Sequence, residues 1–331
     1  MGRQYRRALA LTVTLATSLT LGATLTAAAP PARAQGVSQS PAARTTVPST
    51  TVPSVTVPSV SPGELPPRGS HEPAAPLPRV EPPFAGHAAC ASAAHPKLAA
   101  RIAAGITGAL HGRSLAVGLT VADAALDLSC KLNQGTHFDA ASAIKVTIIS
   151  ALLLKVGGYD HLTGAQHATA WAMITRSDNN AATRLWNEVG MAGMQRFLNL
   201  AQMSHTRLNV AWGLTELTAQ DELTLLRLLS GPGKVLATNA RRYVLWLMSN
   251  VVPYQRWGVP AGAAAGVTVH VKNGWLPYPT SYDWHVNSLG VFTGKHIAYQ
   301  IVALTAGSPS MQYGIDAIQA AARVINRDLA E

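Results

Sequence analysis

The chain has 331 residues and a formal charge of +10, from 26 Lys+Arg against 16 Asp+Glu. Only 13% of residues are charged, about half the ~25% usual for soluble proteins, while 48% are apolar, enough for a large core. This balance excludes a collagen, a coiled coil and a fully disordered chain, and one long apolar run argues against a multi-span membrane protein.

Residues 1–34 read as a secretory signal. Arg3, Arg6 and Arg7 precede an apolar stretch from Ala8 to Ala29, and Ala32-Arg33-Ala34 is a small-x-small cleavage pattern. An uncleaved anchor is the rival, because the 22 residues from Ala8 to Ala29 can cross a ~30 Å hydrocarbon core; the many threonines weaken it. Arg6-Arg7 hints at twin-Arg export. This segment holds four arginines and no acid, so of the net +10 the remainder carries +6, which is no nucleic-acid footprint.

Residues 35–83 read as a disordered linker. Thr46-Val-Pro-Ser-Thr, Thr51-Val-Pro-Ser-Val and Thr56-Val-Pro-Ser-Val repeat every five residues. Proline fixes φ and removes donors, favouring extended conformers that bury little. Such a tether can hold a domain out in a cell wall and can be O-glycosylated. No stable membrane span remains once the signal is removed.

Residues 84–331 read as one folded domain, with no Cys, His or acidic pattern that calls for a metal or cofactor. Cys90 and Cys130 are the only cysteines; in an exported chain they are most simply one disulfide, with two buried thiols as the alternative. Apolar spacing predicts a helix over 96–112, a strand pair over 114–121 and 126–132, and a helix over 142–155. A helical block runs from 161 to 250, with segments 179–189, 191–201, 218–229 and 239–250. Strands follow over 267–272, 284–291 and 297–305, then an amphipathic helix over 313–329. This order fits an α+β fold: a five-stranded antiparallel sheet built from both chain ends, flanked by helices, with an inserted all-helical lobe. Trp171, Trp186, Trp212 and Trp246 fall on the helical block and read as core.

Three short motifs carry chemistry. Ser142-Ala-Ile-Lys145 puts a hydroxyl and an amine on one face of a helix start. A serine is a weak nucleophile until a base takes its proton, and a buried lysine can be that base. Ser177-Asp178-Asn179 adds a hydroxyl that can relay a proton and an amide that can orient a carbonyl. Lys272-Asn273-Gly274, at a strand end, adds a cation for a carboxylate and a glycine that lets a substrate approach. Alone, the three read as an N-cap, a second N-cap and a turn.

Together, in this order, they resemble the signature of class A β-lactamases and D,D-peptidases, in which S-x-x-K, S-D-N and K-T-G recur. The texts "MITRSDNNAATRLWN" and "LTAQDELTLLRLL" are similar to that family too, and the resemblance covers residues 90–330. It implies Ser142 as the acylated nucleophile, Lys145 as its activator and Ser177 as proton relay. Asn179, Lys272 and Gly274 would bind substrate, and the backbone N–H groups of Ser142 and Trp275 would form the oxyanion hole. Partners would be β-lactams or D-Ala-D-Ala peptides, with no nucleic acid, for a secreted, wall-associated monomer.

The sequence departs from the family at four points, one being a shorter segment from Lys145 to Ser177 that suggests a trimmed helical lobe. Asn273 replaces a hydroxyl residue, with its amide as a substitute. Trp275 is bulky where the family is small. The Glu-x-x-Leu-Asn loop that activates deacylating water is missing: Leu208-Asn209 is preceded by His205 where the Glu is expected, and Glu216 is the nearest acid. Glu216 or His205 could serve as base; a dipole-complementing acid in a helix's first turn is the other reading of Glu216. A β-lactam hydrolase, a D,D-peptidase or slow penicillin-binding protein, and a non-catalytic wall-binding module all stay open.

Overall fold

The computed structural model describes residues 81–278 and 283–330; the signal and nearly all of the linker lie outside them. In chain order come β1 (Ala89–Ala91), α1 (Pro96–Leu110), β2 (Ala116–Asp123), β3 (Leu128–Leu132) and β4 (His137–Asp139). A 3-10 turn (Ala141–Ile144) leads into α2 (Lys145–Val156), followed by α3 (Gly164–Thr175), α4 (Asn179–Ala201), β5 (Glu216–Thr218), α5 (Ala219–Ser230) and α6 (Thr238–Ser249). The chain closes with β6 (Thr268–Tyr278), β7 (Asp283–Gly294), β8 (Ile297–Ser308) and α7 (Met311–Leu329).

The sheet runs β1-β3-β2-β8-β7-β6, all antiparallel. The five strands expected are present, so the α+β class holds, but there are six. The extra strand, β1, is three residues of Ala and Cys with too little pattern to be read locally. Its partner across the ladder explains it: Cys90 lies opposite Cys130 on β3, and the two form a disulfide. That crosslink closes a 40-residue separation, worth about 4 kcal/mol in the chain-entropy picture. Replacing both cysteines with alanine is expected to lower stability by about 2–4 kcal/mol and to fray the β1 edge; urea unfolding monitored by circular dichroism checks it.

The two chain ends meet at β2 and β8, where Thr120 faces Val302 across the ladder. β2, β7 and β8 are buried almost continuously because helices cover the sheet. α1 and α7 pack on each other and on the sheet, while α5 packs on β2 and β8. The α7 stripe Ile315, Ile318, Ala322 and Ile325 supplies one layer of core.

In the helical lobe, α3 starts with a capping box between Thr163 and Gln166. The two segments expected around residue 190 are joined as α4, broken by non-helical Gly190 at φ 72°. The stretch beginning at Ser142 is a 3-10 turn, and regular helix starts at Lys145. Two short strands, β4 and β5, pair away from the main sheet and were invisible at three residues each. Trp186 is core as expected, but Trp246 is half exposed and Trp212 only partly buried. No helix among the described residues is long and apolar enough to cross a membrane.

Candidate active site

The three motifs converge where the start of α2, the turn before α4 and strand β6 meet. Lys145 opens α2 and is fully buried. Its Nζ lies 2.7 Å from the Ser177 carbonyl, 2.8 Å from Asn179 Oδ1 and 3.1 Å from Ser177 Oγ. Lys272, also fully buried, donates from Nζ to Ser177 Oγ at 2.9 Å and to the Asn273 carbonyl at 2.7 Å. Ser177 Oγ therefore sits between two amines. Ser142 is half-buried in the 3-10 turn, three residues before Lys145.

The backbone around these groups is unusual. Ala141, just before Ser142, has φ 45°, and Ser177 has φ 56°, the left-handed region that non-glycine residues seldom occupy. Such strain persists only where the surroundings over-determine it. Asp178 caps α4 by accepting from Ala181 N at 2.7 Å, which aims Ser177 and Asn179 back at Lys145.

β6 explains why glycine is needed after Asn273. Lys272 and Gly274 share one face of the strand. A Cβ on Gly274 would lie 2.8 Å from the backbone nitrogens of both Ser142 and Ala143 and 2.9 Å from the Ala140 carbonyl. The strand therefore packs directly against the Ser142 turn.

Asn273 points the other way. Its Nδ2 donates to the Gln255 and Trp257 carbonyls at 2.8 and 2.9 Å, and the residue is buried. Its amide is used to tie down a loop and does not stand in for the family's hydroxyl in the cleft. The Trp275 ring lies 6.0 Å from that of Trp257, forming an aromatic wall.

Electrostatics follow from burial. Desolvation lowers the Lys145 amine to about 7, only partly opposed by Asp178. Lys272 is pushed well below the ordinary lysine range by burial and by the nearby Lys145 charge. Two ammonium groups sharing one hydroxyl repel each other, so the pair disfavours being doubly charged.

The loop over this group departs most from the family. Asp221, in the first turn of α5, accepts from the backbone nitrogens of His205 and Thr206 and from Thr206 Oγ1 at 2.7–2.9 Å. His205 Nδ1 pairs with the same carboxylate at 3.2 Å. Glu216 lies on β5 instead of in a helix's first turn. It exchanges backbone hydrogen bonds with Arg207 at 3.0 Å and forms an ion pair with that arginine at 3.1 Å. The segment this clip closes, residues 208–215, holds no acid and no histidine. Its Trp212 ring lies 4.9 Å from Lys145 Nζ, with the indole N–H bonded to Thr183 Oγ1 at 3.1 Å. Sequence reasoning had assigned Trp212 to the core; the only signal available was the lack of any acid beside it.

A model described as the β-lactamase enzyme family matches residues 165–329, which include the Ser177 and Lys272 motifs but begin after Ser142 and Lys145. Among solved structures, a β-lactamase from Xanthomonas campestris aligns at 18% identity and TM-score 0.59, over 73% of this chain and 100% of its own. A β-lactamase from Sphaerobacter thermophilus aligns at 18% identity and TM-score 0.58, over 70% and 97%. The protein PBP-A aligns at 22% identity and TM-score 0.54, over 64% and 89%. No curated protein matches the chain. With the family match joined to this shared fold, the chain belongs to the superfamily of β-lactamases and penicillin-recognising proteins.

Proposed function

We propose that the protein is an exported serine hydrolase of β-lactamase type that acylates Ser142 with a β-lactam or a D-Ala-D-Ala-like amide. The observation that carries this reading is the Lys145–Ser177–Lys272 chain, with 3.1 and 2.9 Å links and a Lys145 amine lowered to about 7. A neutral amine has two protons and a lone pair. Lys145 can donate to the Ser177 carbonyl and Asn179 Oδ1, its shorter contacts, and turn its lone pair to Ser142. Ser142 Oγ then attacks the carbonyl carbon while Lys145 takes its proton. The Ser142 and Trp275 N–H groups face the developing oxyanion. Ser177 passes its proton to the leaving nitrogen and is reprotonated by Lys145, which so returns the proton taken from Ser142, while a charged Lys272 pairs with the substrate carboxylate. The disulfide and the N-terminal signal pattern support an exported protein, with the linker as a tether.

Slow deacylation is the second part of the proposal. Glu216 is held by Arg207 and His205 by Asp221, and Trp212 covers Lys145. These contacts favour a D,D-peptidase or penicillin-binding behaviour over rapid β-lactam hydrolysis. Full-length protein mixed with a chromogenic cephalosporin is expected to give one burst of colour and a persistent adduct on Ser142 by intact mass. Ser142→Ala should give neither. Steady colour without an adduct would remove slow deacylation, and no adduct with no colour would remove the acyl-enzyme itself. Glu216→Gln is expected to leave the adduct lifetime within about twofold; a tenfold longer lifetime would reinstate Glu216 as the base.

A further inference from the structure

Three residues before Ser142, the Asp139 side chain meets β6 and β7. Tyr278 Oη donates to Asp139 Oδ2, and His285 Nδ1 lies 3.7 Å from the same oxygen. The Tyr278 and His285 rings are 4.7 Å apart. The Asp139 and His285 side chains are only 21% and 16% exposed. The acyl-transfer steps above use none of the three.

The backbone of the same segment is held as well. Asn287 Nδ2 donates to the carbonyls of Asp139 and Ala140 at 2.8 and 3.1 Å. Gly274 abuts the Ala140 carbonyl and the Ser142 nitrogen. Residues 139–142, with strained Ala141 among them, are thus tied to β6–β7 through a side chain, two carbonyls and a close backbone contact. Ser142 N–H ends this tied segment, and Trp275 N–H is on β6 itself.

We propose that Asp139 is a positioning residue for acylation: through Tyr278 and His285 it holds residues 139–142 against β6–β7 and fixes the separation of the two oxyanion donors. The inference rests on the acyl-enzyme reading. The ionisable groups around Asp139 are Glu216 opposite it on β5, itself paired with Arg207, Tyr278 from β6, and Asp283 and His285 from β7. Burial, then Glu216, raises the Asp139 carboxyl to about 6. Burial lowers the His285 imidazole, with Asp283 opposing. His285 Nδ1 is buried without a hydrogen-bond partner, so a proton arriving on either group bridges the gap to Asp139. The latch is tight below about pH 6 and rests on Tyr278 alone above it. Lys145 works in the opposite sense, its base form growing as pH rises through about 7. The wild-type rate should therefore rise less steeply with pH than a lone Lys145 ionisation.

The test is the limiting acylation rate of full-length protein with a chromogenic cephalosporin, from pH 5.5 to 8.5, by quenched intact mass. Asp139→Ala is expected to lower it about tenfold with the half-saturating concentration unchanged. Asp139→Asn keeps an acceptor for Tyr278 at that oxygen and does not titrate. It should recover to within about threefold of wild type and follow the single Lys145 ionisation. Wild-type rates in Asp139→Ala, equal losses in both variants, or a loss confined to half-saturation would overturn the proposal. Should Asp139→Ala not fold, Tyr278→Phe, which loses one hydroxyl, must slow acylation, and an unchanged rate counts against the latch. If wild type forms no Ser142 adduct, the functional reading fails separately. The latch is then judged by the NMR titration of His285, whose midpoint must fall in Asp139→Asn; an unmoved midpoint overturns it.

Discussion

Replacing Lys145 with methionine is expected to slow acylation of Ser142 by about 10²–10⁴-fold, the usual worth of a general base. Methionine has similar length and suits a buried site, so the loss would report chemistry more than packing. In wild type the rate should climb as pH rises, because the base is the neutral amine, held at about 7 by desolvation. Below that value the ammonium dominates and Ser142 keeps its proton; about one unit above it the curve levels. Stopped-flow acylation across pH checks both size and sign. A profile flat between pH 5.5 and 8.5, or a Lys145→Met variant with wild-type rates, would remove Lys145 as base. Lys145→Arg should fare no better, since arginine stays charged.

Gly274→Ala carries the second large effect. Its new Cβ would stand 2.8 Å from the Ser142 nitrogen, closer than real Cβ contacts come. Backbone is on both sides of the clash, so no flexible side chain can give way. Either β6 or the Ser142 turn must shift, and the shift separates Ser142 N–H from Trp275 N–H. Losing one oxyanion donor typically lowers rate by about 10²–10³-fold, and a loss of that order is expected in acylation. Substrate binding through Lys272 should suffer less, because that side chain is anchored by Ser177 Oγ and the Asn273 carbonyl. Acylation by intact mass, set beside a circular dichroism spectrum, separates this from unfolding; wild-type acylation would show that the contact does not position the oxyanion donors.

Much of the fold was legible because its elements are long and patterned. α1, α5, α6 and α7 present apolar stripes at helical spacing, and β8 is a nearly continuous apolar run between turn residues. β1, β4 and β5 were not legible. Each has three residues, and each exists through a distant partner: Cys130 for β1, and β4 and β5 for one another. The site divides in the same way. Ser142, Lys145, Ser177, Asn179 and Lys272 fall in short local motifs whose residue types announce chemistry. Trp212 and Asp139 fall in none, and only the folded chain brings the first to Lys145 and the second to Tyr278 and His285.

By itself the sequence determined the α+β class, the order of the long elements, the three short motifs and the absence of an acid between Leu208 and Thr215. These follow from local periodicity and residue chemistry, which a linear chain displays. The tertiary structure decided which amines share Ser177, that Asn273 turns to the Gln255 and Trp257 carbonyls, that Glu216 clips Arg207, and that Trp212 covers Lys145. Those outcomes depend on registers and contacts between residues tens of positions apart, such as Lys272 reaching Ser177 across 95 residues. Burial, which takes Lys145 down to about 7, is a property of the packed whole, because only the assembled elements exclude the water that would otherwise keep the amine charged.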